Sequence, residues 1–308
     1  MKYILTDKIR IGISACNFGA KVRWDHKGWD RVSALGRAQS DYIWTPICPE
    51  VMSGLGVGRD PVRLVSGNGD DYWNGAAKVK NRRGRDVSEN IREGVRVCLD
   101  ALKRADVEAF AFMEGSPTCG VYRTTLKDKR LGKPPGVFGA MLLKEDYFLI
   151  PALDIESPWK WWDWRRRLHA YAWLRRQEIH VKKELYDIWH ALKFICQEID
   201  IPTANAIGVA LANAPGKIDQ PFISAWRRQA LDLVRRPSQL NRIQAVMTKH
   251  YAHYRKQFGY KIADVAVPDS NLGKKNFIEA LEKLERKAFE DGYHFSGNPV
   301  AYRPPRNN

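Results

Sequence analysis

Three cysteines each stand shortly behind an apolar run: Cys16 in RIGISACNFG, Cys48 in YIWTPICPE and Cys119 in AFAFMEGSPTCG. Short apolar runs closed by turn residues read as buried strands. Between the second and third lies VSENIREGVRVCLDALKRA (87–105). Its Ile91, Val95, Leu99 and Leu102 recur at helical spacing, with Ser88 as the expected N-cap. A weaker helical pattern covers 30–40, and GVFGAMLLKEDYFLI (136–150) reads as a helix and a short strand. GLGVGRDPVRLV, rich in Gly and Pro, reads as loop. It has no lysine-serine or lysine-threonine ending that would make it a phosphate loop. Strand and helix therefore alternate over the first 155 residues. That order predicts an α/β domain with a mostly parallel sheet in Rossmann-like layers. Parallel strands end on one side, and ligands bind there. The pattern thus gathers Cys16, Cys48 and Cys119 at one edge.

From SPWKWWDWRRRLHAYAW (157–173) onward the texture changes. Segments 174–199, 203–215, 220–236, 239–258 and 273–292 read as helices, punctuated by Pro202, Pro215, Pro237 and Pro268. The expected organisation is an α/β domain over 1–156 and an all-α domain over 157–308, with PVAYRPPRNN as a loose tail.

The formal net charge is +16 and is uneven. Residues 159–308 carry 26 Lys and Arg against 15 Asp and Glu; residues 1–158 carry 25 against 20. A basic, aromatic-rich half is what a polyanion binder needs. Trp159, Trp161, Trp162 and Trp164 beside Arg165–Arg167 allow two readings: base stacking with phosphate contacts, or packing in a domain interface. No apolar run reaches the ~18–20 residues of a membrane span. Asp7, Lys8 and Arg10 break what would otherwise resemble a lipoprotein signal ending at Cys16. Five cysteines do not make a secreted disulfide framework, so the expected compartment is the cytoplasm.

Cys98 and Cys196 lie inside helical patterns and read as core fillers. The other three sit in turns with Gly, Pro or Ser. No CxxC pair is present, which disfavours a closed structural zinc site. Three cysteines on a cubane iron–sulfur cluster would leave one iron open as a Lewis acid, but spacing alone does not separate this from unrelated thiols. Arg23 and Asp25 either line a pocket or pair with each other, and His250 and His253 read as surface residues.

GISACNFGAKVRWD, TPICPEVMSGLGVGRDPV, GRDVSENI and GSPTCGVYRTT, in that order, resemble the signature blocks of the TudS-type thiouracil desulfidase family over residues 9–150. The resemblance implies a [4Fe-4S] cluster held by Cys16, Cys48 and Cys119. It also implies non-redox removal of sulfur from a thiolated pyrimidine. Glu50 and Ser116 match residues with catalytic roles in that family. Asn17 and Phe18 stand where the family has an apolar leucine pair, and VYRTTLKDKRLGK is more basic than the family's glycine-rich stretch. The basic second half extends the expectation to thiouridine in tRNA, with a free thiolated nucleotide as the simpler substrate. Two alternatives stay open: cluster-dependent sulfur insertion into tRNA, and a non-enzymatic RNA-binding protein with a structural metal.

Overall fold

The computed structural model describes residues 3–124, 134–258, 274–292 and 295–304. The chain forms two compact units, Lys8–Ser157 and Met1–Asp7 with Pro158–Asn308. Strand β1 (Ile4–Leu5) belongs to the second unit.

In the first unit, β2 (Ile9–Ser14) and β3 (Tyr42–Ile47) are followed by an antiparallel pair, β4 (Val62–Val65) and β5 (Lys78–Asn81). Helix α1 (Gly69–Trp73) joins that pair, and α2 (Ser88–Arg104), β6 (Ala109–Phe112), α3 (Val137–Lys144) and β7 (Phe148–Pro151) follow. The main sheet has the order β3-β2-β6-β7, and every pairing in it is parallel. All four residues of β6 are buried, as expected of a strand covered on both faces. The α/β expectation therefore holds. The loop expectation for GLGVGRDPVRLV fails at its end, because Val62–Val65 pairs with Lys78–Asn81 in register Val62↔Asn81. The missing signal is the partner strand: KVKN is too short and too polar to announce itself.

Helix α2 buries Ile91, Val95, Cys98, Leu99 and Leu102 against the sheet. It begins at Ser88, which is not its cap. The Ser88 hydroxyl accepts the N–H of Val79 in β5 at 2.9 Å, and Asp86 Oδ1 accepts the N–H of Ser88 at 3.0 Å. Gly94 lets this helix touch the segment after β3 directly. A Cβ there would lie 2.2 Å from the Pro49 carbonyl oxygen and 2.6 Å from the Ser53 nitrogen. Those are backbone atoms that cannot rotate away.

The second unit is built from α4 (Pro158–Arg175), α5 (Lys182–Ile199), α6 (Ile201–Ala212), α7 (Gln220–Val234), α8 (Leu240–Phe258) and α9 (Lys274–Glu290). Asp200 and Asp219 cap α6 and α7 by accepting the N–H of Thr203 and Phe222. The expected loose tail is ordered at residues 301 and 302. There β8 (Ala301–Tyr302) runs parallel to β1, with Ile4 opposite Ala301.

Helix α4 overturns the base-stacking reading for three of its four tryptophans. Trp161, Trp162 and Trp164 are buried, and Trp159 packs against the α8–α9 core. Arg166 and Arg167 are both 0% exposed. Each guanidinium lies over a neighbouring indole, Arg166 4.4 Å from Trp162 and Arg167 4.0 Å from Trp164. Asp163 bridges them, accepting from Arg166 Nη2 at 2.6 Å and Arg167 Nη2 at 2.9 Å. Glu198 of α5 completes a charge-balanced set of two arginines and two carboxylates. Arg166 also donates to the Gly297 carbonyl, and Arg167 to the carbonyls of Val234 and Arg235. Arg166 and Arg167 tie α4, α5, the end of α7 and the Gly297 loop together, and with Trp161, Trp162 and Trp164 they are buried away from any nucleic acid, while Trp159 is half-buried.

Asp163→Asn leaves the arginines short of a buried counter-charge and should cost about 3–5 kcal/mol in urea unfolding near neutral pH. Burial opposes ionisation of Asp163, but Arg167 and Arg166 outweigh it and hold its pKa at about 2. Its contribution is therefore complete above the usual carboxylate range and fades as pH falls from about 4 toward 2, so the variant's deficit should shrink over that window. Gly94→Ala should cost about 1–3 kcal/mol by overpacking. It should also speed the reaction of Cys48 with a thiol reagent, since the segment behind Pro49 must move.

Candidate functional site

The three turn cysteines meet where the parallel geometry requires. Cys16 follows β2, Cys48 follows β3 and Cys119 follows β6, and all three line one pocket. Glu50 and Ser116 line it as well, so all five expected site residues are brought together.

Each cysteine is placed by backbone bonds. The Cys16 carbonyl accepts the N–H of Trp29 at 2.7 Å. The Cys48 carbonyl opens a tight helical turn by accepting the N–H of Val51 and Met52. Cys119 sits in a turn that Ser116 caps: Ser116 Oγ accepts the N–H of Thr118 at 3.2 Å and of Cys119 at 3.1 Å. That turn is held from behind by the start of α3. The N–H groups of Val137 and Phe138 donate to the carbonyls of Pro117 and Thr118, and Gly136 donates to Gly120. The orphan donors of a helix N-terminus are thus spent on fixing the Cys119 loop. Gly139 permits the approach, because a Cβ there would lie 2.2 Å from the Gly120 carbonyl oxygen.

The thiols influence one another. Burial pushes Cys16 up to about 12, and the charge of Cys48 adds to it. Burial and the Glu50 charge raise Cys48. Cys119 is pushed well above the ordinary thiol range by burial, then by Cys48, Glu50 and Cys16. Three such thiols ionise together only around a group that brings positive charge. Cys98 and Cys196 are buried in their helices and line no part of this pocket, as expected of fillers. Among the described residues no group of three or more His, Cys, Asp or Glu is set to hold a metal ion. Three sulfur donors spread round a pocket suit a larger, polynuclear group better than one closed ion.

Glu50 is held by two residues that sequence reading missed. Its Oε2 accepts from Arg59 Nε at 2.9 Å and also from Arg59 Nη2. Its Oε1 accepts the Thr118 hydroxyl at 2.8 Å. Arg59 Nη1 reaches on to the carbonyls of Val22 at 2.8 Å and Gly56 at 2.7 Å. One guanidinium therefore joins the carboxylate to two other backbone segments. The signal available in the sequence was an arginine among closely spaced glycines, GLGVGR, which a loop reading passes over.

Arg23 does both things the sequence allowed. It lines the pocket and pairs with Asp25 at 3.2 Å. Asn17, one departure from the family pattern, is buried and accepts from Arg31 Nε at 2.9 Å. The other departure falls largely on residues 125–133, outside the described residues, as does the His250 side chain; His253 is exposed on α8.

Residues 11–153 match the family model described as 2-thiouracil desulfurase. The protein YbbK of Bacillus subtilis, itself uncharacterized, is 29% identical over 150 residues, covering 47% of this chain and 97% of its own. A solved structure described as a [4Fe-4S]-dependent thiouracil desulfidase, TudS, is 25% identical, with a TM-score of 0.37, covering 47% of this chain and 90% of its own. The family-model match covers nearly the same residues as the resemblance read from the signature blocks. These matches do not extend over the helical unit.

Removing the Arg59 charge should expose how strongly it holds Glu50. Arg59→Met and Glu50→Gln should each destabilise, and the double variant should lose less than their sum. The expected coupling is about 1–3 kcal/mol in a urea double-mutant cycle.

Proposed function

We propose that the first unit is a desulfidase that replaces the sulfur of a thiolated pyrimidine with oxygen, using a [4Fe-4S] cluster held by Cys16, Cys48 and Cys119. The observation that carries this reading is the convergence of those three thiols on the pocket that also holds Glu50 and Ser116. The family match over residues 11–153 supports the same chemistry. Bound there, such a cluster supplies an iron without a protein ligand, a Lewis acid that polarises a thiocarbonyl.

This chain's residues supply the acid–base work. Glu50 Oε2 is occupied by two Arg59 N–H groups, while among the described residues Oε1 takes only the Thr118 hydroxyl. Oε1 keeps an acceptor site, so it can orient a water and take its proton. Ser116 Oγ accepts two backbone N–H groups, which leaves its own hydrogen to donate to a substrate heteroatom. Water adds to the ring carbon, the C–S bond breaks, and the proton held by Glu50 follows the departing sulfur. The balance is a thiocarbonyl plus water giving a carbonyl plus hydrogen sulfide. No electrons are exchanged, so the step is a hydrolysis.

The substrate proposed in full is thiouridine in tRNA, with a free thiolated nucleotide as the alternative. Its support is the surplus of Lys and Arg over residues 159–308. The Trp159–Arg167 run no longer contributes, since most of it is buried. The compartment proposed is the cytoplasm, supported by five cysteines that are all unpaired. Among the described residues no helix is long and apolar enough to cross a membrane.

Anaerobic reconstitution with iron and sulfide should load about four irons per chain, lost in Cys16→Ala, Cys48→Ala and Cys119→Ala. Sulfide release should then be assayed with 2-thiouracil, 4-thiouridine monophosphate and thiolated tRNA. Release that requires Glu50 is the expected result. If tRNA is the substrate, its KM should climb steeply with salt while that of the nucleotide does not. Retention of zinc instead of iron, or no sulfide from any of the three, overturns the desulfidase reading.

A further inference from the structure

Trp24 is the exposed tryptophan of this chain: it is 44% exposed, whereas the other ten are buried or half-buried. It lines the cysteine pocket, whose apolar lining also includes Val22, Pro61 and Pro117. Among the described residues no hydrogen bond or ring contact engages its indole, which leaves a large apolar surface in water. Its backbone is also fixed with respect to the reacting groups. On one side Val22 is tied through its carbonyl to Arg59, the residue that clamps Glu50. On the other, the N–H of Trp29 is tied to the carbonyl of Cys16. Between these anchors, Asp25 Oδ1 accepts from Arg23 Nε at 3.2 Å and from the N–H of Lys27 at 3.3 Å, and the N–H of His26 closes back on the Arg23 carbonyl. His26 adopts a left-handed conformation with φ of 56°, and its ring packs on Gly58, where a Cβ would lie 2.6 Å from Nε2. An exposed aromatic whose backbone is anchored this closely beside a pocket is a surface already in place for a ligand.

We propose that Trp24 is the stacking wall on which the pocket receives the flat ring of its substrate, a pyrimidine base. The proposal rests on the desulfidase reading for the identity of that ring. An indole face covers an unsaturated six-membered ring without hydrogen-bond readout, so it selects planarity. The polar groups of the pocket, Glu50, Arg59 and Ser116, then distinguish the ring's edges. On this view Trp24 sets how well the base is held, while Glu50 directs water to its reacting carbon and Ser116 donates to a heteroatom of the ring.

The test uses the full-length, cluster-loaded protein and the variants Trp24→Phe and Trp24→Leu. Binding of uracil, the unreactive product, is measured by calorimetry, and sulfide release from 2-thiouracil is measured in parallel. The expected result is that Trp24→Leu weakens uracil binding and raises KM about tenfold or more, with a smaller change in kcat. Trp24→Phe should restore most of both, which a general loss of folding would not do. Uracil binding that depends on an aromatic residue at 24, with no sulfide released by any form, would overturn the desulfidase reading and leave the stacking wall standing. Sulfide release with the KM of Trp24→Leu equal to that of the unaltered protein would overturn the stacking wall and leave the enzyme. Absence of both uracil binding and sulfide release would overturn both.

Discussion

The parallel pairing of β3, β2, β6 and β7 is the constraint on which the site depends. Parallel strands cannot be joined by tight hairpins, so each must exit at the same edge before a crossover returns the chain. Three of those exits carry a cysteine. The thiols are separated by 32 and 71 residues along the chain, yet they face one pocket because the sheet leaves no other place for the strand ends. The crossovers then lock the exits. Helix α2 lies on the Cys48 turn through Gly94, and the start of α3 binds the carbonyls of the Cys119 turn.

Arginine serves the two units in different ways. In the first, Arg59 joins Glu50 to the backbone at Val22 and Gly56, so an ionic contact becomes a geometric one. A planar guanidinium with five donors suits that task, and a lysine ammonium would not reproduce the fork. In the second, Arg166 and Arg167 are removed from solvent altogether and matched by Asp163 and Glu198. Desolvating four charges is expensive, and full hydrogen bonding is what makes the arrangement tolerable. Arg166 and Arg167, the most conspicuous positive charges in the sequence, are thus withdrawn from any binding face, and the basic surplus of the second unit must act through its other Lys and Arg residues.

Much of the fold was legible. The strands at Ile9–Ser14, Tyr42–Ile47 and Ala109–Phe112 and the helix at Ser88–Arg104 follow from apolar period and length alone. In the second unit, Pro215 and Pro237 mark the breaks between α6, α7 and α8, but the helix at Pro158–Arg175 reads in the sequence only as a boundary, and the break between it and α5 at Lys182 carries no proline to announce it. The failures share a cause. Val62–Val65 is a strand only because Lys78–Asn81 pairs with it, and Ala301–Tyr302 only because Ile4–Leu5 does. Short strands have no signature until their partner is known. Ser88 has the composition of an N-cap, yet its hydroxyl went to a neighbouring strand, which no local rule anticipates.

By itself, the sequence determined the alternation of elements, the sheet's parallel sense and hence the edge where Cys16, Cys48 and Cys119 meet, because each of these is set by local period and by the sterics of crossover connections. Tertiary structure alone decided which side chains became the supports of that site. Arg59 and Thr118 came to hold Glu50, Ser116 to cap the Cys119 turn and Trp24 to remain in solvent at the pocket wall. It also took Arg166 and Arg167 out of the basic surface that their neighbours suggested. The physical reason is range: period and turn chemistry act over a few residues, whereas hydrogen-bond partners and burial are settled between segments that only the completed fold brings into contact.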